Sequence, residues 1–487
     1  MTDAARSGFD IVVVGSGGAG LTAAAEAAQR ERTVLVIEKG ATIGGTTAIA
    51  VGSLMASCTE MQRRAGIADS PRRHEEELVE LGQALGLGDN PALRRLHVEN
   101  VPDTVDFLAA IGVDFIGPLL QPPFRTKRFY QALPGGRAYV HRLTRHCRRL
   151  GVAFRLATAA ERLVMREGRV VGVEVARDGR RETVNARAVV LASGDFSANR
   201  EMRKALMGEG ADLLDPINPL STGDGQRMAV AIGAKLALRP DLSSARLAQA
   251  RFAPPLRPSR LAALPPWRIV TRAMKLALTH LPSAWTRPLV LRAAMTALAP
   301  ERALFEEGAI LVNRDGTRFA DELGLPAEAI AQQPSGEAFL VMDARIAEKY
   351  ERWPHYVSTA PGVAFAYIDD YRKVRPDIFR EAPDIAALAP AIGIPATALA
   401  AAVAASRLGA GPFVAMGPLK AWMLLTHVGL AVDTSFAVLD EAGAPIPGLY
   451  AAGGAGQGGF SSLYHGHSLG WALTSGRLAG RAAAFAT

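Results

Sequence analysis

Asp10-Ile11-Val12-Val13-Val14-Gly15-Ser16-Gly17-Gly18-Ala19-Gly20, with Thr33-Val34-Leu35-Val36-Ile37-Glu38 downstream, decides the fold. Ile11 to Val14 is an uninterrupted apolar run, as a strand buried on both faces requires. Gly15 to Gly20 spells G-x-G-x-x-G, and small residues from Thr22 to Ala28 continue at helical propensity. A second apolar strand then ends on an acid. Strand, glycine turn, helix, strand and acid make a βαβ unit for a dinucleotide. Gly15 permits the tight turn, Gly17 lets backbone approach a pyrophosphate, and Gly20 allows close helix–strand packing. The helix start, with Ser16, Gly18 and Ala19, offers unpaired N–H groups and partial positive charge to phosphates. Glu38, eighteen residues beyond Gly20, is placed to accept from ribose hydroxyls and disfavours a 2′-phosphate. FAD or NAD is therefore expected ahead of NADP.

Lys39 follows the acid, and Gly44-Gly45-Thr46-Thr47 and Gly52-Ser53 then form a run of small residues. Such a run lets a flat isoalloxazine and its ribityl chain pass against the backbone. Here the chain resembles the FAD-dependent fumarate reductase, succinate dehydrogenase and 3-ketosteroid dehydrogenase superfamily, which carries GG-[NT]-[ST] at this place. Ala192-Ser193-Gly194-Asp195-Phe196 is similar to that family's loop near the pyrophosphate, and Thr222-Gly223-Asp224-Gly225 to its T-G-D/E-G turn. Gly448-Leu449-Tyr450-Ala451-Ala452-Gly453 resembles the G-L-Y-A-x-G motif that returns the last helix to the flavin. The resemblance implies further FAD contacts at Ala160, Ala192, Ser193, Gly194, Asp224, Gly453, Gly454, Ser468 and Leu469. No His or Cys lies between Gly44 and Ser53, so FAD is expected to be non-covalent. No metal is expected.

The expected fold class is α/β. A Rossmann-like FAD-binding domain occupies 1–240, with an inserted β-meander of short strands at Val152–Leu156, Ala160–Met165, Val170–Val175 and Ala188–Ala192 and turns at Arg166-Glu167-Gly168 and Asp178-Gly179. A separate α+β substrate-capping domain occupies 241–414, and 415–487 returns to the FAD-binding domain. Near the start of the cap, Val312-Asn313-Arg314-Asp315-Gly316-Thr317-Arg318-Phe319 resembles the family's V-N-x-x-G-x-R-F-x-x-E stretch, with Asp-Gly at a turn.

Fold does not fix the reaction. Fumarate-type relatives hold a dicarboxylate with arginines, and this chain has none at the matching places: Glu322-Leu323-Gly324-Leu325-Pro326 and Leu463-Tyr464-His465-Gly466-His467. The second stretch is more similar to the ketosteroid dehydrogenases, with a Tyr and a Gly-containing loop before the last helix. Ketone desaturation needs a base for the α-proton, hydride transfer to flavin, and donors for the developing enolate oxygen. The Tyr464 hydroxyl and the Gly466 N–H are the expected donor pair; a packing role beside the flavin competes for Tyr464. His465 and His467 are candidates to relay a proton or tune Tyr464, or else to cap the helix and face solvent. His427, in Thr426-His427-Val428-Gly429, is a further candidate, and Tyr356 and Tyr367 are the cap tyrosines expected to close over a substrate.

The expected function is FAD-dependent desaturation of a hydrophobic cyclic or steroid-like ketone, with an unidentified electron acceptor. Alternatives are an ene-reductase or fumarate-reductase-like acid reductase, and a flavin electron-transfer protein with a membrane or protein partner. At 487 residues and 49% hydrophobic content, with 21% charged, a disordered chain is excluded. Two cysteines, Cys58 and Cys147, exclude a disulfide framework and are expected reduced. The net charge of +8 is concentrated between Leu242 and Pro300, which hold nine basic residues and no acid; the rest of the chain is near neutral. Nucleic acid would call for a broader basic surface with aromatic interleaving. In the stretch Trp267–His280, Arg268, Arg272 and Lys275 share one helical face and Val270, Met274 and Leu278 another. Two readings stand for this region, 242–300: contact with an anionic membrane surface, and a cap insertion with solvated arginines. The expected location is cytoplasmic, peripheral to the inner face of the membrane under the first reading.

Overall fold

The computed structural model describes residues 8–239, 248–253, 265–281, 291, 298–324, 326–360, 364–462 and 465–487. Strands Gly8–Val14 and Val34–Ile37 flank helix Gly18–Ala28 and pair in parallel, Val12 against Leu35. On its other side the first strand pairs in parallel with Arg180–Leu191, Val12 against Val189, and that strand carries Pro445–Ala451. Ala153–Arg155, expected in the meander, instead adds the far parallel edge, since it pairs with Val34–Ile37. Burial on both faces is why Ile11–Val14 and Val34–Ile37 contain no polar residue.

The meander, Ala159–Arg166, Arg169–Arg177 and Arg180–Leu191, is antiparallel, and its two-residue turns fall on Glu167-Gly168 and Asp178-Gly179. All four turn residues have positive φ, the geometry that matches strand twist in a tight hairpin. Its last strand also serves the parallel sheet, so meander and nucleotide unit share one hydrogen-bonded layer. The terminal helix, His467–Phe485, lies along the first helix. A Cβ on Gly476 would stand 2.2 Å from the Ala19 carbonyl oxygen, and one on Gly480 2.3 Å from that of Ala23. Backbone approach this close explains why both helices are built from glycine and alanine.

The cap is a second sheet centred on Phe413–Met423, which pairs with Glu337–Asp343, Phe379–Ala382, Ala248–Phe252 and Asp215–Pro216. One face packs Phe252, Leu340, Met416, Leu419 and Ala421 with Tyr371; the other covers Phe339, Val341 and Ala415 with helices Ile385–Ile392 and Ala396–Ala404. Strand pairing therefore carries the cap's sheet from Asp215 to Met423, across both expected boundaries. The return to the first sheet comes after His427, because the apolar alternation of Leu419, Ala421 and Met423 serves the cap's core.

Helix Arg268–His280 docks on the FAD side: Thr271 Oγ1 donates to Asp114, and the Pro266 carbonyl accepts from Arg142 at 3.0 Å. Val270, Met274 and Leu278 are half-buried, and Arg268, Arg272 and Lys275 are exposed, as the sequence pattern predicts. Trp267, Ile269 and Leu276 are exposed as well. The stretch Ala284–Ala299 lies largely outside the described residues. Cys147 is buried and Cys58 half-buried, both as free thiols.

Candidate active site

At the nucleotide end the protein holds its own polar groups. A Cβ on Gly20 would meet the Gly15 carbonyl oxygen at 1.9 Å, so only glycine fits the turn. Glu38 is buried; its carboxylate accepts from Ser16 N and Oγ at 2.9 and 2.6 Å and from Gly40 N at 2.7 Å. Two carboxylate oxygens offer about four acceptor sites, which leaves room for a ribose hydroxyl. Thr47 Oγ1 accepts from Gly18 N at 2.9 Å, and Gly44 N donates to Ser16 Oγ at 3.2 Å. Thr46 Oγ1 accepts from Asn218 Nδ2 at 2.9 Å. Lys39 Nζ lies 2.6 Å from Asp224 Oδ2. Burial raises the Asp224 carboxyl, but Lys39, Arg227 and Thr222 outweigh it and hold the pKa below its ordinary value. Ala160 is the second residue of the meander strand Ala159–Arg166, which follows Thr158, whose N–H binds the Glu38 carbonyl.

An open backbone cradle lies among these loops. A Cβ on Gly17 would meet nothing nearer than Thr47 Oγ1 at 4.0 Å, and one on Gly45 would face Gly17 Cα at 3.5 Å. Ser193 Oγ is buried without a hydrogen-bond partner, and a Cβ on Gly194 would touch only Ser221 Oγ at 3.7 Å. Exposed backbone, a free buried hydroxyl and a helix start match a flavin dinucleotide's pyrophosphate and ribityl chain. Gly52 closes the loop behind the cradle, with its carbonyl accepting from Tyr139 at 2.8 Å.

Asp195, quoted with its loop but given no role in the sequence reading, ties three segments together. Its carboxylate accepts from Ser197 N at 3.2 Å, Ser197 Oγ at 2.9 Å and Thr426 N at 2.7 Å, and its backbone backs Gly454. Burial dominates and lifts its pKa against the pull of these donors. His427 is thereby set beside Ser462, with Nε2 3.4 Å from the hydroxyl. Gly453 N donates to Ser475 Oγ at 2.9 Å, and Trp471 Nε1 to the Gly453 carbonyl at 3.1 Å, which fastens the glycine loop to the terminal helix. Ser468 Oγ reaches the Ser462 carbonyl at 3.0 Å, and Leu469 is half-buried against the core.

Gly466 caps the terminal helix at φ 86°. A Cβ there would strike Leu54 C at 2.7 Å, and the N–H donates to no described group. His465, beside it, is open to solvent at the domain junction. Surrounding protein and then the charge of Arg251 lower its pKa. Tyr464 lies outside the described residues.

Three candidates make their described contacts elsewhere. His467 is fully buried, Nε2 3.1 Å from His74 Nε2, with Phe124 and His97 around it. The first position of the helix turns its ring into the interior, where its described contacts support the helix start. Tyr367 begins helix Ile368–Val374, its N–H donating to Asp370 at 2.8 Å. Tyr356 packs against Trp353 and Phe365, and burial raises its hydroxyl pKa.

Residues 10–470 match the FAD binding domain family, and the chain belongs to it. It is an FAD-dependent oxidoreductase of the α/β flavoprotein fold. It is 34% identical to NADH:fumarate oxidoreductase of Klebsiella pneumoniae over 48% of its length, and spans 25% of that protein. It is 26% identical to 4-oxocyclohexanecarboxylate 2-dehydrogenase of Sinomonas cyclohexanicum over 98% of this chain and 93% of that one. Among solved structures, the open conformation of a flavocytochrome c3 fumarate reductase superposes with a TM-score of 0.74 at 22% identity, over 98% of this chain and 78% of that one. The 3-ketosteroid Δ1-dehydrogenase of Sterolibacterium denitrificans, in complex with 1,4-androstadiene-3,17-dione, gives 0.69 at 20% identity, over 99% and 100%. The two structures bear on the fold alone.

Proposed function

We propose that the enzyme acts on a CH–CH bond next to a carbonyl, desaturating a hydrophobic cyclic or steroid-like ketone. Bound FAD supplies the hydride acceptor for such a reaction. The chain's own task is to hold the carbonyl oxygen as it gains charge, to receive the α-proton, and to exclude water. The observation that carries this reading is the Gly466 N–H at the start of the terminal helix, which has no partner among the described residues, beside His465, whose pKa is lowered. Helix start and free N–H both favour negative charge at that point, and one such donor is worth roughly a hundredfold or more in turnover. Tyr464 is the proposed second donor. His427 with Ser462, and His465, are the proposed proton carriers. Tyr356 and Tyr367 keep only a proposed place in the closing cap. The relative named for 4-oxocyclohexanecarboxylate dehydrogenation supports a cyclic ketone.

The reverse direction, reduction of an activated double bond, uses the same donors and is supported by the fumarate-reducing relative. Anaerobic spectra separate the two. Saturated cyclic ketones should bleach the oxidised flavin. If only enones or enoates change the spectrum, by reoxidising reduced enzyme, the reductase direction holds; if neither does, the ketone reading fails. The same preparation should release FAD on heating, which checks the non-covalent expectation.

A peripheral membrane contact is also proposed. No helix among the described residues is long and apolar enough to cross a membrane. Helix Arg268–His280 instead exposes Trp267, Ile269 and Leu276 next to Arg268, Arg272 and Lys275, a composition suited to an anionic lipid surface. A poorly soluble substrate, or a membrane-borne electron acceptor, would be met there.

A further inference from the structure

We propose that His74 is a positioning residue for the proposed carbonyl-oxygen site: through its bond to His467 it holds the Gly466 N–H in place, and the two histidines act as one unit. The proposal rests on reading that N–H as a donor to a developing oxyanion, and adds to it the group that aims the donor.

A backbone donor at a helix start is only as well placed as the turn behind it. Gly466 takes φ 86°, and His467 is the first helical residue after it. On one side this backbone lies against the strand Ser53–Met55: a Cβ on Gly466 would stand 2.7 Å from Leu54 C and 2.8 Å from Met55 N. Such a contact blocks movement toward the strand and does not resist movement away from it. The second hold comes from His467, whose Nε2 lies 3.1 Å from Nε2 of His74, with both residues fully buried. Burial first, then His467 and Arg128, hold His74 well below the ordinary histidine pKa, so it meets His467 as a neutral ring. Two neutral imidazoles meet in this way only when one Nε2 carries a proton and the other accepts it, so the bond has a direction.

His74 can serve as an anchor because its own helix, Pro71–Ala84, is tied to the same strand. Glu77, one turn further on, lies 3.0 Å from Arg128 Nη1, and Arg128 pairs with Asp69 at 2.7 Å. The Arg128 carbonyl accepts from Ala56 N at 3.0 Å, and Phe129 beside it pairs with Met55. The contacts close on themselves, from Gly466 to Met55, through Phe129 and Arg128 to Glu77, and by His74 and His467 back to Gly466. Phe124, 5.4 Å from the His467 ring, and His97, 6.0 Å from it, cover the pair. In so dry a place a hydrogen bond is stronger than in water, and removal of one partner leaves the other unsatisfied. Two apolar side chains would fill the space without that cost. The polar pair adds direction, which a donor aimed at one oxygen atom requires.

The test uses FAD-loaded enzyme and a matched pair of probes, pentafluorophenolate and its methyl ether, each titrated at neutral pH by flavin difference spectra. The phenolate carries negative charge on an oxygen beside a flat ring, as an enolate does, and the ether does not. The wild type should bind the phenolate roughly tenfold or more tightly than the ether, the effect of a hydrogen bond to a charged oxygen. His74→Leu should keep FAD and lose most of that preference. His467→Leu should do the same, and the double variant should lose no more than either, because the pair acts as one. His74→Gln, which keeps a donor and an acceptor at the end of its side chain, should restore part of the preference. If His74→Leu holds no FAD, His74→Asn, whose amide stops short of His467, takes its place. A wild type without the preference, a His74→Leu that keeps it, losses that add in the double variant, or a His74→Gln no better than His74→Leu would each overturn the proposal. Failure of the ketone reading looks different: no ketone would bleach the flavin, while the phenolate preference and its dependence on His74 would persist.

Discussion

The two ends of the cleft treat their polar groups in opposite ways. At the nucleotide end nearly every group is held by the protein itself: Glu38 by Ser16 and Gly40, Lys39 by Asp224, Thr47 by Gly18. At the far end, Gly466 N–H has no described partner. A cofactor that stays bound is served by a rigid, preorganised cradle. A substrate that comes and goes must supply the missing partners, and in doing so gains its binding energy. Under the proposed function, the chemistry belongs at the end where hydrogen bonds are left unmade.

The largest expected effect tests the rigid end. Gly20→Val places side-chain carbon on the Gly15 carbonyl oxygen, 1.9 Å from a Cβ, and should leave no soluble, FAD-loaded protein. Flavin content per chain is the measurement, and a yellow, folded variant would show that the turn has slack. Tyr464→Phe tests the open end. It should keep FAD and lower turnover by roughly a hundredfold. Unchanged turnover would return Tyr464 to packing, and loss of FAD would move it to the rigid end.

A smaller effect concerns the histidines behind the helix start. Burial, followed by neighbouring charge, pushes His74 and His97 well below 6.5. The unfolded chain takes up protons as pH falls through about 6.5 and the folded chain does not. Stability is therefore full above that pH and declines below it, by about 1.4 kcal/mol per pH unit for each histidine. His97→Leu removes one such group, along with two buried ring nitrogens that lack partners, and should flatten the acid limb of a melting-temperature profile. An unaltered limb would mean that other groups control acid stability. Least of all should change when Arg268, Arg272 and Lys275 become Gln together. Turnover on a soluble substrate and melting temperature should stay the same, while low-salt sedimentation with anionic vesicles is lost. Wild type that never sediments would leave this helix as cap structure.

Much of this was legible in the sequence because it rests on local constraints. Gly20 is required by its contact with Gly15 in the same turn, Gly15 by its positive φ, and Glu167-Gly168 and Asp178-Gly179 by hairpin dihedrals, so residue type betrays geometry directly. The places of Asp195 and His467 were not legible. Asp195 matters through Thr426, more than two hundred positions away in the chain, and His467 is turned inward by contacts with His74 and His97. A histidine beside a glycine reads the same in sequence whether its ring meets a flavin or a phenylalanine.

By itself the sequence determined the dinucleotide unit, the family, the meander and the glycine run that makes an FAD cradle, since each is written in a spacing of a few residues. Only the tertiary structure decided where the cap's sheet ends and that His467 is sealed behind the helix start. Those outcomes depend on which face of a strand or helix meets the core. That choice is fixed by packing across the whole chain and by no short stretch of it.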